Sequence, residues 1–403
     1  MKPINHNTPE IDENSNSAHT HLNVSLINTK EAFFNLKDDW TALLQESNEP
    51  HIFLSWEWLF TWWQTYANKN DELMILTLHQ DEVLVGIVPF YVQQISFSRV
   101  LRCLGDGEPQ HESVTTHYQD IICPDNVKNT VVKSVAAYFN QHSKWDYSEF
   151  RFVLDHSCLY LLIEELGSVF FLKKSLGYRY RLNLKRTFED IYNSLGKSAR
   201  KAFRSKRNRM KSMGEVSLAS LDLSDSLDKS LNTHVEFHTH RQKILGHAGI
   251  FLESRFKDFH HKLITQLEHT DSIHNAEIRV LNVSEEPIAC TLNYISNNVK
   301  EPTVYAYSAG FKSSDDARLS PMFVFDLLEF EQLIDRGICY YDFLSASEES
   351  TYKTTYKAEQ EAVSKVHWFE KTPKAFIAYA YFKVRFRLSF LKQHFKKMQQ
   401  NTA

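Results

Sequence analysis

Apolar residues recur every three or four positions in "EAFFNLKDDWTALLQES", at Phe33, Phe34, Leu36, Trp40, Leu43 and Leu44, which predicts an amphipathic helix. A second helix is predicted in "FLSWEWLFTWWQTYA", with Ser55 as its N-cap. The pattern then changes to strands: Leu73 to Leu78 and Val83 to Tyr91 flank a polar turn at His79 to Glu82, the signature of a hairpin. About 200 residues later the design recurs, with strands at Glu277 to Val283 and Ile288 to Ile295 around Ser284 to Pro287. Two helix-then-hairpin halves of similar pattern suggest duplication of one domain.

Between the halves, Lys197 to Lys211 holds eight Lys or Arg and no acid. Lys197, Arg200, Lys201, Arg204, Arg207 and Lys211 follow helical spacing along one face, while Leu195, Ala199, Phe203, Met210 and Met213 mark the other. This predicts a basic amphipathic helix within 195–213. Its face is either solvated, a holder of an anionic ligand such as a nucleotide or tRNA, or a contact for an anionic membrane. The C-terminal run "KAFIAYAYFKVRFRLSFLKQHFKK" mixes aromatic and basic residues at near-helical spacing. It fits either an anionic membrane surface or a helix packed across the two halves.

Composition sets bounds on these readings. With 403 residues, 42% apolar and 24% charged, and 28 Phe and 18 Tyr, the chain has core material for two domains. A net charge of −4 excludes a protein coated in nucleic acid, so any polyanion contact is local. Four of the seven Trp fall between Trp56 and Trp63; core packing against a sheet is the reading adopted, with a stacking platform for sugar or base as the alternative. Five widely spaced cysteines without a C-x-x-C pair signal neither a disulfide framework nor a zinc site and fit a cytoplasmic protein. His234 and His238 stand four apart, but the remaining ligands of a zinc motif are missing and no metal is expected. Residues 1–23 are Asn, Ser and His rich, lack the apolar core of a signal peptide, and read as a disordered tail.

The second half has the more specific order of elements. Helices around "FHTHRQKILG" and "LESRFKDFHHKLITQLEH" precede the hairpin; the strand "TVYAYSAGF", the helix after "RLSP" and the strand "ICYYDFL" follow it. With "FLSWEWLFTWW", "LGDGEP…YQDIICP" and "YDFLSASEESTYK", this order resembles the GNAT acyltransferase superfamily, in its CelD-like branch related to the FemAB peptidyltransferases. The resemblance runs from about Phe33 to His367. It implies an α/β fold of two tandem GNAT-like domains, each a mixed, mostly antiparallel sheet flanked by helices. Residues 24–180 would form a degenerate first domain, 181–370 the acyltransferase domain, and 371–403 a basic aromatic helix.

The expected activity is transfer of an acyl group from acetyl-CoA or another acyl-CoA to an amine of a sugar nucleotide, glycan or envelope precursor, since the CelD-like branch is associated with polysaccharide biosynthesis. A FemAB-like ligase using aminoacyl-tRNA, or a non-enzymatic adaptor of the same fold, are the alternatives. Nucleic acid is a partner only under the first of these. The protein is expected in the cytoplasm, with a peripheral contact at the inner membrane surface under the membrane readings.

Site residues follow from chemistry and resemblance together. Ser320 as N-cap, Pro321 at the first helical position and Gly337 as terminator bound a helix whose N–H groups and dipole, with Arg318 and Met322 beside them, suit a pyrophosphate. GNAT enzymes bind coenzyme A there, although "RLSPMF" lacks the family's glycines. Asp342, inside an apolar strand, is the first candidate for general base, and Glu348 the second; the alternative for Asp342 is an ion pair with Arg241, Arg318 or Lys353. Tyr352 and Lys353 would protonate the leaving thiolate or bind an anionic substrate. Arg241 with His238 would grip a carboxylate or phosphate, and Arg200 and Arg204 of the basic helix would also bind substrate.

Overall fold

The computed structural model describes residues 22–167, 170–247, 249–269, 272–297, 299–312, 319–346 and 351–401. The first half runs β1 (Asn23–Ile27), α1 (Lys30–Asn35), α2 (Lys37–Glu46), α3 (Trp56–Tyr66), β2 (Glu72–Gln80), β3 (Val83–Ile95), β4 (Ser98–Cys103), α4 (Lys128–His142), β5 (Tyr147–Leu154), α5 (Cys158–Glu165) and β6 (Phe171–Asn183). It continues through α6 (Phe188–Ser194) and α7 (Lys197–Met213) into β7 (Val216–Ser220), α8 (Leu227–Ile244), α9 (Ser254–Glu268), β8 (His274–Val283), β9 (Glu286–Ser296) and β10 (Thr303–Phe311). The chain closes with α10 (Pro321–Asp335), β11 (Tyr340–Ala346), α11 (Thr351–Thr355), β12 (Glu359–Phe369) and α12 (Pro373–Asn401).

The predicted first helix is two, because the chain turns at Leu36, which ends α1 and starts α2; Phe34 is left 57% exposed. Ser55 caps α3 as expected, its hydroxyl accepting the Trp58 N–H at 3.1 Å. Trp56, Trp58 and Trp62 are buried, with Trp58 edge-on to Phe259 of α9 and Tyr294 of β9, so this aromatic helix is packed between the halves.

The two halves share local chemistry. Each has the tripeptide Ile-Phe-Leu, at 52–54 and 250–252, as a single 3-10 turn ahead of a helix. Each hairpin closes on two residues of positive φ, Asp81 and Glu82 (48° and 69°) or Ser284 and Glu285 (51° and 66°). Two left-handed residues match the twist of the flanking strands, which is why this loop serves both hairpins.

All twelve strands form one sheet, ordered β1-β2-β3-β4-β5-β12-β6-β11-β10-β9-β8-β7. Two pairs are parallel, β4 with β5 and β10 with β11; the others are antiparallel. Counted inward from its own edge, each half supplies five strands in the same order, and each takes its sixth from the other half. β12 lies against β5, and β6 against β11. Position 180, the expected division between halves, falls inside β6, which is bonded to β11 and β12.

At this seam sits Arg179 of β6, 2% exposed. Its Nε donates to Asp342 Oδ2 of β11 at 2.7 Å and its NH1 to Glu49, beyond α2, at 2.9 Å; Glu361 of β12 lies 3.5 Å away. Its guanidinium also lies 4.4 Å from the Tyr118 ring centroid. His156 bridges the two outer acids, 2.6 Å from Glu361 and 3.6 Å from Glu49. Burial alone would raise the Glu49 pKa, but Arg179 and the His156 hydrogen bond outweigh it and hold the carboxyl well below its ordinary range.

Removing one partner from a buried pair leaves an uncompensated charge. Arg179→Met is therefore expected to cost roughly 3–5 kcal/mol in chemical denaturation, because Asp342 and Glu49 lose their shared cation. A loss below about 1 kcal/mol would show that the seam does not depend on this cation.

His156 gives a pH signature. Hydrogen bonds to Glu361 and Glu49 raise its pKa from 6.5 to about 10. Its contribution to stability is thus complete below pH 6.5 and is lost as pH rises through 10. His156→Gln should destabilise at pH 6, have little effect at pH 10.5, and flatten the slope between, as read by melting temperature across that range.

Candidate functional site

The register of β11 against β6 slips between Asp342 and Ser345, so Phe343 and Leu344 form a bulge. Leu344 has φ +60°, a backbone region that costs a leucine energy unless neighbours hold it. Two side chains do so. Asp342 Oδ1 accepts the Leu344 N–H at 2.7 Å, and Lys353 Nζ donates to the carbonyls of Phe343 at 2.7 Å and Leu344 at 3.1 Å.

This geometry corrects the reading of Asp342 as the site's base. The carboxylate is 0% exposed and also accepts from the Tyr118 hydroxyl at 2.9 Å and from Arg179, so it faces its partners and holds the bulge. Among the described residues its cation is Arg179, not Arg241 or Lys353. Lys353 is likewise beneath the strand, not on a rim: it is 5% exposed, and burial lowers its pKa to about 8 against the opposing pull of Asp342 and Asp326. Tyr352, its neighbour, is 54% exposed. Behind them Asp326 of α10 accepts the Tyr356 hydroxyl at 2.8 Å, and burial raises its pKa to about 7.

The bulge borders an opening in the sheet. β10 pairs with β11 only from Thr303/Tyr340 to Tyr305/Asp342; beyond that point β10 continues to Phe311 paired with β9. On one side of the opening the first half approaches: His117 Nδ1 lies 3.2 Å from Ser345 Oγ, and the Tyr307 hydroxyl donates to the Val114 carbonyl. Next to it lies α8, and Gly310 explains how closely. A Cβ at Gly310 would stand 2.4 Å from the His238 nitrogen and the Phe237 carbonyl carbon.

Helix α8 thus lays its polar residues along β10. His234 Nε2 is 3.1 Å from Ser308 Oγ, and Arg241 donates to the Ala309 carbonyl at 3.4 Å. Burial, with Arg241 adding to it, lowers the His238 pKa to about 4, and burial with His238 lowers His234 to about 3. Both rings are neutral near pH 7, so of the expected Arg241 and His238 pair only Arg241 brings charge. Burial and Asp326 raise the Tyr352 pKa, and Arg241 opposes them.

The start of α10 lies nearby, since Phe323 of its first turn stacks on Tyr356 with centroids 6.0 Å apart. Pro321 opens the helix, Met322 is half-buried, and Gly337 with φ +75° follows its end, as expected. Ser320 does not cap it. The residue is left-handed, at φ 41° and ψ 66°, and its hydroxyl accepts from Lys206 of α7 at 2.8 Å. The basic helix therefore reaches the start of α10, though not by the face the sequence suggests. Lys206 lies on the stripe of Phe203 and Met210, whereas Arg204 faces outward and Met213 is 57% exposed. Arg200 closes α6, donating to the carbonyls of Asn193 at 2.7 Å and Leu195 at 2.9 Å. Arg318 and Glu348 lie outside the described residues.

Sequence reasoning missed Arg179, Glu49, His117, Tyr118, Ser345 and Lys206. Arg179 alternates with Tyr178 and Tyr180, which marks the opposite strand face but not its burial. Tyr118 and His117 come from the irregular "THYQD" segment, which no periodicity reaches. Lys206 was detectable, three residues from the apolar Phe203 and four from Met210.

Comparison with known proteins agrees with this geometry. No curated protein sequence matches the chain. Among solved structures, that of FemX superposes with a TM-score of 0.59 over 89% of this chain and 100% of its own, at 10% identity. A conserved protein of unknown function from Bacteroides thetaiotaomicron VPI-5482 gives 0.52 over 86% and 100%, at 13% identity. At such identities the likeness is one of fold, and it covers both halves. Residues 197–357 match the acetyltransferase (GNAT) domain family, a span that includes α7, the β10–β11 opening and α10. Over residues 197–357 the chain thus carries an acetyltransferase domain of the GNAT type, while the rest is matched by fold alone.

Proposed function

We propose that the chain is an N-acyltransferase that moves an acyl group from acetyl-CoA or another acyl-CoA to an amine of a sugar nucleotide, glycan or envelope precursor. The observation that carries this reading is the parting of β10 and β11 after Tyr305 and Asp342, beside the start of α10 and Lys206. An extended donor arm entering there gains the backbone groups of a strand edge, as an added strand would. Phosphates at its far end meet the N–H groups of α10 and the Lys206 ammonium. The glycine-less loop is tolerated because Ser320 is itself left-handed, which turns the chain without a glycine.

In the reaction the acceptor arrives as a neutral amine and attacks the thioester carbonyl; the C–S bond breaks to expel the thiolate, and the nitrogen releases one proton to solvent as the amide forms, balancing the one the sulfur takes up. Tyr352 is assigned the return of a proton to that sulfur: its side chain is 54% exposed, and burial and Asp326 raise its pKa against the opposing pull of Arg241, so the phenol stays protonated near pH 7. Asp342 and Lys353 act through the backbone, keeping the bulge of β11 in place. Arg241, on the α8 side, offers a charged grip for an anionic part of the acceptor.

A second reading, aminoacyl transfer from an aminoacyl-tRNA, is favoured by one observation: Lys206 of the basic helix α7 reaches the start of α10, where an RNA phosphate would serve as well as a nucleotide. Calorimetry with a panel of acyl-CoAs distinguishes the two. Micromolar binding of an acyl-CoA, weakened about 5- to 150-fold by Lys206→Ala as a charge-assisted hydrogen bond is lost, supports the first. No acyl-CoA binding together with steeply salt-dependent tRNA binding supports the second.

The role of Tyr352 is tested by Tyr352→Phe. As a general acid it is worth roughly 10²–10⁴-fold, so kcat should fall by about that factor while the melting temperature hardly moves. An unchanged kcat assigns the proton to another group.

A further inference from the structure

Helix α12 has two apolar faces, and the fold uses one. Ala375, Tyr379, Phe382 and Phe386 turn inward: the Phe382 ring is 4.4 Å from His367 and 5.4 Å from Tyr147, and Tyr379 is 5.5 Å from Phe369. Ile377, Tyr381, Val384 and Leu388 follow the same three-and-four spacing on the opposite side and are 69%, 55%, 56% and 53% exposed. At about 100° per residue these four fall in one narrow stripe. Lys374 and Arg385 flank it on one side, Lys383 and Arg387 on the other, all exposed. In the sequence the spacing continues through Leu391, Phe395 and Met398.

Charge selects the occupant of this face. Eight of the chain's 46 Lys and Arg, and none of its 50 Asp and Glu, fall in residues 371–403, so that this segment carries +8 and residues 1–370 carry −12. A second copy would set Arg385 and Arg387 against like charges at the positions that flank a helical seam. RNA would meet the cations but gain nothing from covering aliphatic Ile377, Val384 and Leu388. A stripe of aliphatic and aromatic side chains edged by cations suits the headgroup boundary of an anionic bilayer, which takes the apolar side chains between headgroups that attract the Lys and Arg. Among the described residues no helix is long and apolar enough to cross a membrane, so the contact is with the surface. Phe97, 92% exposed on the β3–β4 turn, stands at the same end of the sheet, since Val100 three residues on clusters with Ala375.

We propose that α12 docks the protein on an anionic lipid surface, with Ile377, Tyr381, Val384 and Leu388 inserted at the interface and Lys374, Lys383, Arg385 and Arg387 on the headgroups. This does not depend on the acyl-transfer reading, and its test does not use activity.

The test is flotation of the full chain with vesicles of phosphatidylcholine alone or mixed with phosphatidylglycerol. Binding is expected only with the anionic lipid, falling as salt rises. Lys383→Glu with Arg387→Glu should weaken it at least tenfold, on the order expected for two surface cations reversed. Ile377→Ser with Val384→Ser should weaken it at unchanged charge, and circular dichroism should show both variants folded, since these side chains face solvent. Equal binding to both vesicles, binding to neither, or retention by the charge-reversed variant overturns the proposal. So does self-association abolished by the serine variant without vesicle binding, which would make the face a seam between copies. RNA binding that depends on the cations but not on Ile377 and Val384, without vesicle binding, overturns it in favour of a polyanion site.

Discussion

One buried cation holds together parts of the chain far apart in sequence. Arg179 sits on the strand that leaves the first half, and its partners lie beyond α2, on β11 and on β12. A guanidinium so enclosed is tolerated only with its hydrogen bonds made to acids, and here the acids come from both halves and the closing strand. The pair with Asp342 therefore does more than neutralise charge. It fixes the carboxylate that receives the Leu344 N–H, and so links the seam between the halves to the bulge beside the β10–β11 opening.

The exchange of sixth strands gives this arrangement its geometry. Two domains side by side with their own strands would leave two edges to be covered or blunted. With β12 beside β5 and β6 beside β11, those edges close into one sheet, and the innermost strand of each half belongs to the other half. Independent motion of the halves about a linker is excluded by the ladder of hydrogen bonds between β6 and β12. The opening beside β11 is consequently rigid on its first-half side, where His117 and Val114 reach Ser345 and Tyr307.

What was legible in the sequence follows the range of the interactions. Both hairpins, the basic helix and the bounds of α10 are set by local periodicity and by Pro and Gly, and each lies where the pattern puts it to within a few residues. The order of these elements also carried the family. The single twelve-stranded sheet was not legible, because strand exchange is a choice of partner and leaves no trace in alternation. The site was legible in its location more than in its roles. Asp342 stood out as a carboxylate in an apolar run, but what it pairs with lies 163 residues away. The capping role of Ser320 failed for a related reason: a hydroxyl at an N-cap position bonds the helix only where the backbone is extended, and here it is left-handed.

The first half therefore contributes to the site without containing its opening. Its own parallel pair, β4 with β5, parts in the same way after Leu101 and Ser148, and there too a buried carboxylate, Glu149, is gripped by an arginine, Arg102, at 2.9 Å. Arg102, the His367 hydrogen bond and Lys365 overcome burial to keep Glu149 far below the ordinary carboxylate range. Two of those three groups belong to β12, the strand lent by the second half. Each parted pair of strands is thus braced by a strand from the other half, through an acid on the fifth strand and a cation on the lent one. Duplication supplies two such frames, and sequence divergence decides their use. In the second half, Arg241, Tyr352 and the start of α10 surround the parted strands with groups that can act on a substrate. In the first, Arg151 closes on Asp106 at 3.0 Å, so the charges of the frame are spent on one another.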